Sequence, residues 1–293
     1  MKKLQKILKR FFITAFYLYF VLTSIKPAKA FIPYIYIPDS NELNKTGVNI
    51  GKTAIQILEL GQNNEAIQLA ELGLTLRPSD YRLWSILAES QRRSGLLKEA
   101  SISIAKAKEI NSGNASLWFA EATIKLQQKE TKKALILLRK GLKLDPENAI
   151  GYFTLGNCYL MEKDFKASLN SFKKAIKLKP KFWEALNNQG ISLFEIGNKK
   201  KAITIWRKVI TIEENAEPML ALGAALNSLK PGNTESLNLA KKALSQNPNY
   251  VSSKHRQEQL WGNELEKATK KLLSRPEMVS IVEKALGNAN LKN

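Results

Sequence analysis

From residue 47 onward, apolar and small residues recur at a spacing of 34. Six units can be written in phase: 47–80, 81–114, 115–148, 149–182, 183–216 and 217–250. The eighth place is always small: Ala54, Ala88, Ala122, Gly156, Gly190 and Ala224. So is the twentieth: Ala66, Ala100, Ala134, Ser168, Ala202 and Ser236. The fourth is large: Ile50, Trp84, Trp118, Tyr152, Leu186 and Leu220. This spacing predicts two helices per unit, each of about a dozen residues, joined by a short turn. Gly61, Gly95 and Gly197 mark three of those turns. Small residues let the two helices approach closely, and the large one fills the space beside them. Pro78, Pro146, Pro180 and Pro248 end second helices, with Ser112 and Glu214 as the two departures. One such hairpin cannot bury its apolar face, so neighbours must stack.

The stretches LWSILAESQRRSGLLKEASISIAKAKEI and GYFTLGNCYLMEKDFKASLNSFKKAIKLKP resemble tetratricopeptide repeats. The resemblance extends over roughly 200 of the 293 residues. It implies an all-α, right-handed solenoid of six hairpins with a C-terminal capping helix. It implies little about function, because the family includes scaffolds, chaperone adaptors and transport receptors. In such solenoids the first helices line a concave surface. Carried over, that surface takes in Phe119, Phe153, Asn157, Asn187, Asn188, Ile191 and Phe194. A carboxamide both donates and accepts hydrogen bonds, so the asparagines suit the main chain of an extended peptide, with apolar pockets between. Packing between repeats is the competing reading for Phe153 in particular. The carboxylate clamp of cytosolic chaperone adaptors is absent, since its places hold Gly51, Ile55, Ser116 and Ala120.

Beyond the repeats, residues 251–293 continue helical. Leu260, Trp261, Leu265, Ala268 and Leu272 share one face of an expected cap helix over the last unit. Pro276 ends it, and 277–286 forms a last short helix.

The N-terminus reads as an export signal. A basic head precedes the apolar run 11–25, and Ala28 and Ala30 frame a small-residue cleavage pattern. The run is shorter than the ~20 residues of a spanning helix. An uncleaved anchor is the alternative, and both readings carry residues 31–293 out of the cytoplasm. Residues 31–46 begin with FIPYIYIPD, an apolar arm kept extended by Pro33 and Pro38. The arm suits either a docking contact or a strip covering the first hairpin. Together with KFWEALNNQG and EQLWGNEL, these features resemble exported repeat proteins of cyanobacteria and plastids. That narrower resemblance implies a periplasm or thylakoid lumen and a part in assembling or maintaining a photosynthetic membrane complex.

Composition narrows the chemistry. The formal net charge is +20, of which +7 lies in the first thirty residues. Second helices carry a basic stripe that includes Lys132, Lys133, Lys140, Lys173, Lys174, Lys177, Lys200 and Lys201. It suits an anionic membrane surface or an acidic protein; AT-rich codons alone could also supply a solvated lysine face. Nucleic acid fits poorly with an exported chain. One cysteine and one histidine permit neither an internal disulfide nor a zinc site. Cys158 reads as a small hydrophobe and His255 as a helix histidine. No convergent catalytic set and no cofactor motif emerges. The expectation is a non-catalytic scaffold that holds a membrane protein or an extended segment of one. A soluble exported peptide receptor and a regulatory subunit of an enzyme are the alternatives.

Overall fold

The computed structural model describes residues 48–289. The segments read above as an export signal and an apolar arm lie outside these residues. Twelve helices make six successive pairs: α1 Val48–Glu59 with α2 Asn63–Leu76, α3 Tyr81–Arg93 with α4 Leu97–Ile110, and α5 Ala115–Gln127 with α6 Thr131–Leu144. Then come α7 Ala149–Met161 with α8 Phe165–Leu178, α9 Trp183–Glu195 with α10 Lys199–Ile212, and α11 Ala216–Leu229 with α12 Thr234–Gln246. Each second helix packs on its own first helix, and each but the last also packs on the first helix of the next pair. The chain is thus all-α among the described residues, a stack of hairpins.

A size exchange closes each pair. The small eighth place faces the twenty-fourth of the same unit. Where the eighth is glycine, the twenty-fourth is aromatic: a Cβ on Gly156 would lie 2.4 Å from the Phe172 ring, and one on Gly190 would lie 2.6 Å from the Trp206 indole. Where the eighth is alanine, in Ala88 and Ala122, the partner is Ile104 or Leu138, all buried. Interiors pack to near-crystal density, so one side shrinks as the other grows.

The ends of the helices follow local chemistry. Asp80, Asn114, Asn148 and Asn215 each accept a main-chain N–H from the first turn that they precede. Trp84 and Trp118 donate their indole N–H to the carbonyls of Pro78 and Ser112, tying each unit to the end of the one before. The turns need a left-handed residue. Gly61, Gly95 and Gly197 supply it at φ of 79°, 79° and 81°, but Lys129 and Lys163 occupy the same place at 62° and 59°.

The C-terminal segment corrects the expectation of one cap helix. A 3-10 turn, Pro248–Val251, leads into a short helix, α13 Ser253–Glu258. The chain then breaks, with Leu260 left-handed at φ 65°, before α14 Asn263–Leu273. A second 3-10 turn, Pro276–Met278, precedes α15 Val279–Asn288. Leu260 and Trp261 are therefore both in the break, and Trp261, Leu265, Ala268 and Leu272 are buried.

Two outcomes test this packing. Gly156→Ala should lower the unfolding free energy by about 1–2 kcal/mol, because the added methyl meets Phe172. Adding Phe172→Leu should recover most of the loss, recreating the alanine–leucine pairing of unit three. Strict additivity of the two changes in urea denaturation would refute the size exchange. Lys163→Gly should act the other way. Left-handed backbone costs a non-glycine residue roughly 1–2 kcal/mol, and glycine's added chain entropy takes back only part. A net gain of about 0.5 kcal/mol is expected, readable as a raised Tm.

Candidate functional site

The first helices α9 and α11 form one surface, and α14 lies against both. Leu272 reaches Gly223 of α11, where a Cβ would sit at an ordinary 3.5 Å from the leucine but only 3.0 Å from the Ser236 carbonyl oxygen of α12. Glu195, at the end of α9, accepts the main-chain N–H of Glu264 at 3.1 Å and of Leu265 at 2.8 Å. Those are orphan donors of the first turn of α14, and a carboxylate there also meets the positive end of the helix dipole. The approach is so close that a Cβ on Gly262 would fall 2.2 Å from the Glu195 carboxyl carbon. A side chain at that point would push the Glu195 carboxylate off its two bonds.

Next to it, the Trp261 indole donates to Glu217 of α11 at 3.1 Å. Burial pushes Glu217 up to about 7; hydrogen bonds from Trp261, Asn187 and Tyr250 oppose the shift, and the charge of Glu184 adds to it. Burial likewise raises Glu195, against its two main-chain bonds. Tyr250 is pushed up by burial and by the Glu217 charge.

Behind this contact runs a buried amide chain. Trp206 Nε1 donates to Asn187 Oδ1 at 3.0 Å, Asn187 Nδ2 to Asn188 Oδ1 at 3.3 Å, and Asn188 Nδ2 to Asn157 Oδ1 at 2.8 Å. It links α10, α9 and α7. The predicted asparagines are thus brought together, but they are 1%, 1% and 7% exposed for Asn157, Asn187 and Asn188. They bond one another instead of forming an open row for a ligand. The aromatics are corrected in the same sense. Phe119 is wedged against Gly141 and Gly151, Phe153 packs on Phe172 and Phe182, and Phe194 packs on Trp206. Ile191 is fully buried. These four fill space between helices, because in a stacked hairpin the apolar positions of a first helix meet its neighbours before they meet a ligand.

The rest of the C-terminal segment is held by charge. The guanidinium of buried Arg256 makes paired bonds to Glu266 at 2.8 and 2.7 Å and donates to the carbonyls of Tyr250 and Val251. Burial would raise Glu266, but the hydrogen bonds from Arg256 and Ser253 outweigh it and hold the carboxyl below its ordinary value. This pair fixes α13 to α14 across the Leu260 break.

Cys158 is buried and its thiol is pushed up to about 12 by burial, so it stays protonated and unreactive. Among the described residues, no group of three or more His, Cys, Asp or Glu side chains is placed to hold a metal ion. No helix among them is long and apolar enough to cross a membrane. The eight predicted lysines of the basic stripe are all exposed on α6, α8 and α10. Glu195, Glu217, Trp261 and Gly262 are the residues that sequence reasoning missed as a site. Only the Trp–Gly pair hinted at them.

Family models described as tetratricopeptide repeat match residues 115–148 and 149–182, the third and fourth units in the same phase. These two units are tetratricopeptide repeats, and the other four share their phase and their hairpin form. No curated protein matches the chain. Solved structures share the fold at low identity. PilF of Pseudomonas aeruginosa is 20% identical over 75% of this chain and 97% of its own, at a TM-score of 0.63. YrrB, described as a tetratricopeptide-repeat protein with an unusual peptide-binding site, is 19% identical over 64% and 97%, at 0.53. MamA of Desulfovibrio magneticus RS-1 is 17% identical over 59% and 97%, at 0.53.

The Glu217 environment gives a test with a definite sign. Below the ordinary value of 4.5, folded and unfolded chains both carry the proton, and the group contributes nothing. As pH rises from there to about 7, the unfolded chain releases the proton first, so stability falls, and the full loss is reached above about 7. Glu217→Gln keeps an acceptor and removes the titration. Subtracting its thermal stability from that of the wild type should give a difference that declines over this pH window. A flat difference would refute the buried-acid reading.

Proposed function

We infer that the chain is a non-catalytic interaction scaffold whose first-helix surface holds a segment of a partner protein. We further infer that it serves, outside the cytoplasm, as an assembly or maintenance factor for a membrane protein complex. The observation that carries the reading is the grip on residues 261–265. Glu195 takes two main-chain N–H groups and Glu217 takes an indole N–H. A surface that holds a chain by its main chain, with one aromatic anchor in a fitted recess, uses the interactions of peptide recognition. The peptide-binding site named for YrrB supports the same use of the fold. The basic head, apolar run and small-residue pattern of the first thirty residues support export. The inert thiol and lone histidine support a part without chemistry of its own.

Photo-crosslinking in membranes tests it. A crosslinking residue at Ala120 or Ile150 on first helices should capture one membrane protein, and one at Thr204 on α10 should not. The same set of products from all three positions would sink the reading.

A further inference from the structure

In units three to five charge is segregated by helix. Over α6, α8 and α10 the sequence places five, four and five basic residues, fourteen in all, and no Asp or Glu. The first helices of the same three units, α5, α7 and α9, carry one lysine and three glutamates. The whole chain has 46 basic and 26 acidic residues, so more than a third of fourteen charged positions would be acidic if composition alone set them. Codon bias can enrich lysine, but it does not account for second helices free of acid in three successive units when the first helices of two of them keep glutamate. All fourteen except Lys199 are exposed. Two are paired with acids from flanking elements, Lys133 with Glu130 and Arg207 with Glu235.

The basic positions are also ordered. Lys106, Lys140, Lys174, Lys208 and Lys242 stand at one place in five successive units, 34 residues apart. Lys140 lies 5.0 Å from the Trp118 ring centre and Lys174 lies 5.1 Å from that of Tyr152, so ring faces seat two of the row. One turn before and one turn after Lys140, on the same side of α6, are Ile136 and Leu144, 54% and 48% exposed. Leu178 follows Lys174 in the same way at 38%, and Ile102 and Ile110 flank Lys106 at 64% and 42%.

We propose that the second helices of units three to five form a docking face for an anionic phospholipid surface, with the lysines among the headgroups and the flanking Ile and Leu side chains at the acyl boundary. The composition decides against a protein partner. Protein interfaces are depleted of lysine at their centres and enriched in exposed Trp, Tyr and Arg. Here twelve of the fourteen are lysine, and Trp118, Tyr152 and Tyr159 are half-buried. Lysine is a mobile point charge suited to a diffuse anionic layer, and it lacks the planar fork that matches single carboxylates. Lysines interspersed with aliphatic residues on one helical face are the pattern of interfacial binding.

The test is flotation of the full chain with vesicles of phosphatidylcholine alone or mixed with phosphatidylglycerol. Binding to the neutral vesicles reports any contribution from the apolar run 11–25, and the excess on the anionic vesicles reports the face. Lys140, Lys173, Lys174 and Lys177 together changed to Gln should cut that excess more than tenfold, since each lysine near an anionic surface contributes roughly a fivefold factor. The same charge change at Lys52, Lys230, Lys270 and Lys271, off this face, should leave it within about twofold, by the same estimate. Ile136→Ser with Leu144→Ser should weaken vesicle binding severalfold and leave binding to polyglutamate unchanged. Equal losses from the two lysine sets would overturn the proposal. So would tighter binding to polyglutamate that ignores the Ile136 and Leu144 changes, which would assign the face to an acidic protein. Unaltered melting of each variant confirms that the fold is kept.

Discussion

The contact between the eighth and twenty-fourth places sets how closely the two helices of a hairpin lie, and the stack rests on that distance. A first helix is clamped between its own second helix and the second helix before it. If one pair opened, the next would lose its seat. The chain meets the constraint with three kinds of solution: alanine against alanine at the two ends, alanine against isoleucine or leucine in units two and three, and glycine against phenylalanine or tryptophan in units four and five. Of the two aromatic solutions, the tryptophan one stands in a unit whose first helix, α9, receives α14; the other receiving helix, α11, belongs to an alanine–alanine unit. Trp206 fills the space over Gly190, and its indole N–H points to Asn187. A leucine could fill part of that volume but could not start the hydrogen-bonded chain. The packing of unit five and the polar chain through it are therefore one choice.

That chain brings buried polar groups next to the most heavily used part of the first-helix surface. Unpaired, each buried carboxamide would be destabilising by roughly 1–3 kcal/mol. Paired in series, the three asparagines fix the relative positions of α7 and α9, and Asn187 continues to Glu217 beneath Trp261. The C-terminal segment thus sits on a surface whose side chains have little freedom left. It is held at three kinds of contact: main-chain N–H groups on Glu195, an indole on Glu217, and the Arg256–Glu266 pair that sets the angle between α13 and α14. Burial raises the first two carboxyls, while the bonds that the segment donates, from Glu264, Leu265 and Trp261, favour their ionised form.

The repeat was legible because it depends on local size. Small residues at two places and a large one at a third are visible in a single line of sequence, and so are the prolines and the glycine turns. The lysines at 129 and 163 escaped notice because nothing in the residue type announces φ above zero; only the phase of the repeat does. The groove was less legible. Phe119, Phe153 and Phe194 have the periodicity of a first helix, but periodicity does not tell an inward face from a concave one when both are apolar. The asparagines misled for a related reason: a carboxamide that can grip a ligand can as readily grip another carboxamide. Glu195 and Gly262 meet across 67 residues of chain, and no pattern within either stretch specifies the other.

Segregated charge changes what such a stack can do. With lysines on both faces, a membrane and a partner segment would compete for one surface, and each would be screened by the other's counterions. Here the first helices of units three to five are close to neutral, while the second helices carry the field. The two kinds of contact then differ in physics as well as in place. Headgroup attraction acts over about a Debye length and fades with salt. Main-chain hydrogen bonds in a fitted recess act only at contact and are much less sensitive to it. A chain held near a bilayer by the first is confined to a thin layer, so a membrane protein in that layer is met at a raised effective concentration. The second can then remain modest in strength and still select its segment, because the search has already been reduced to a surface.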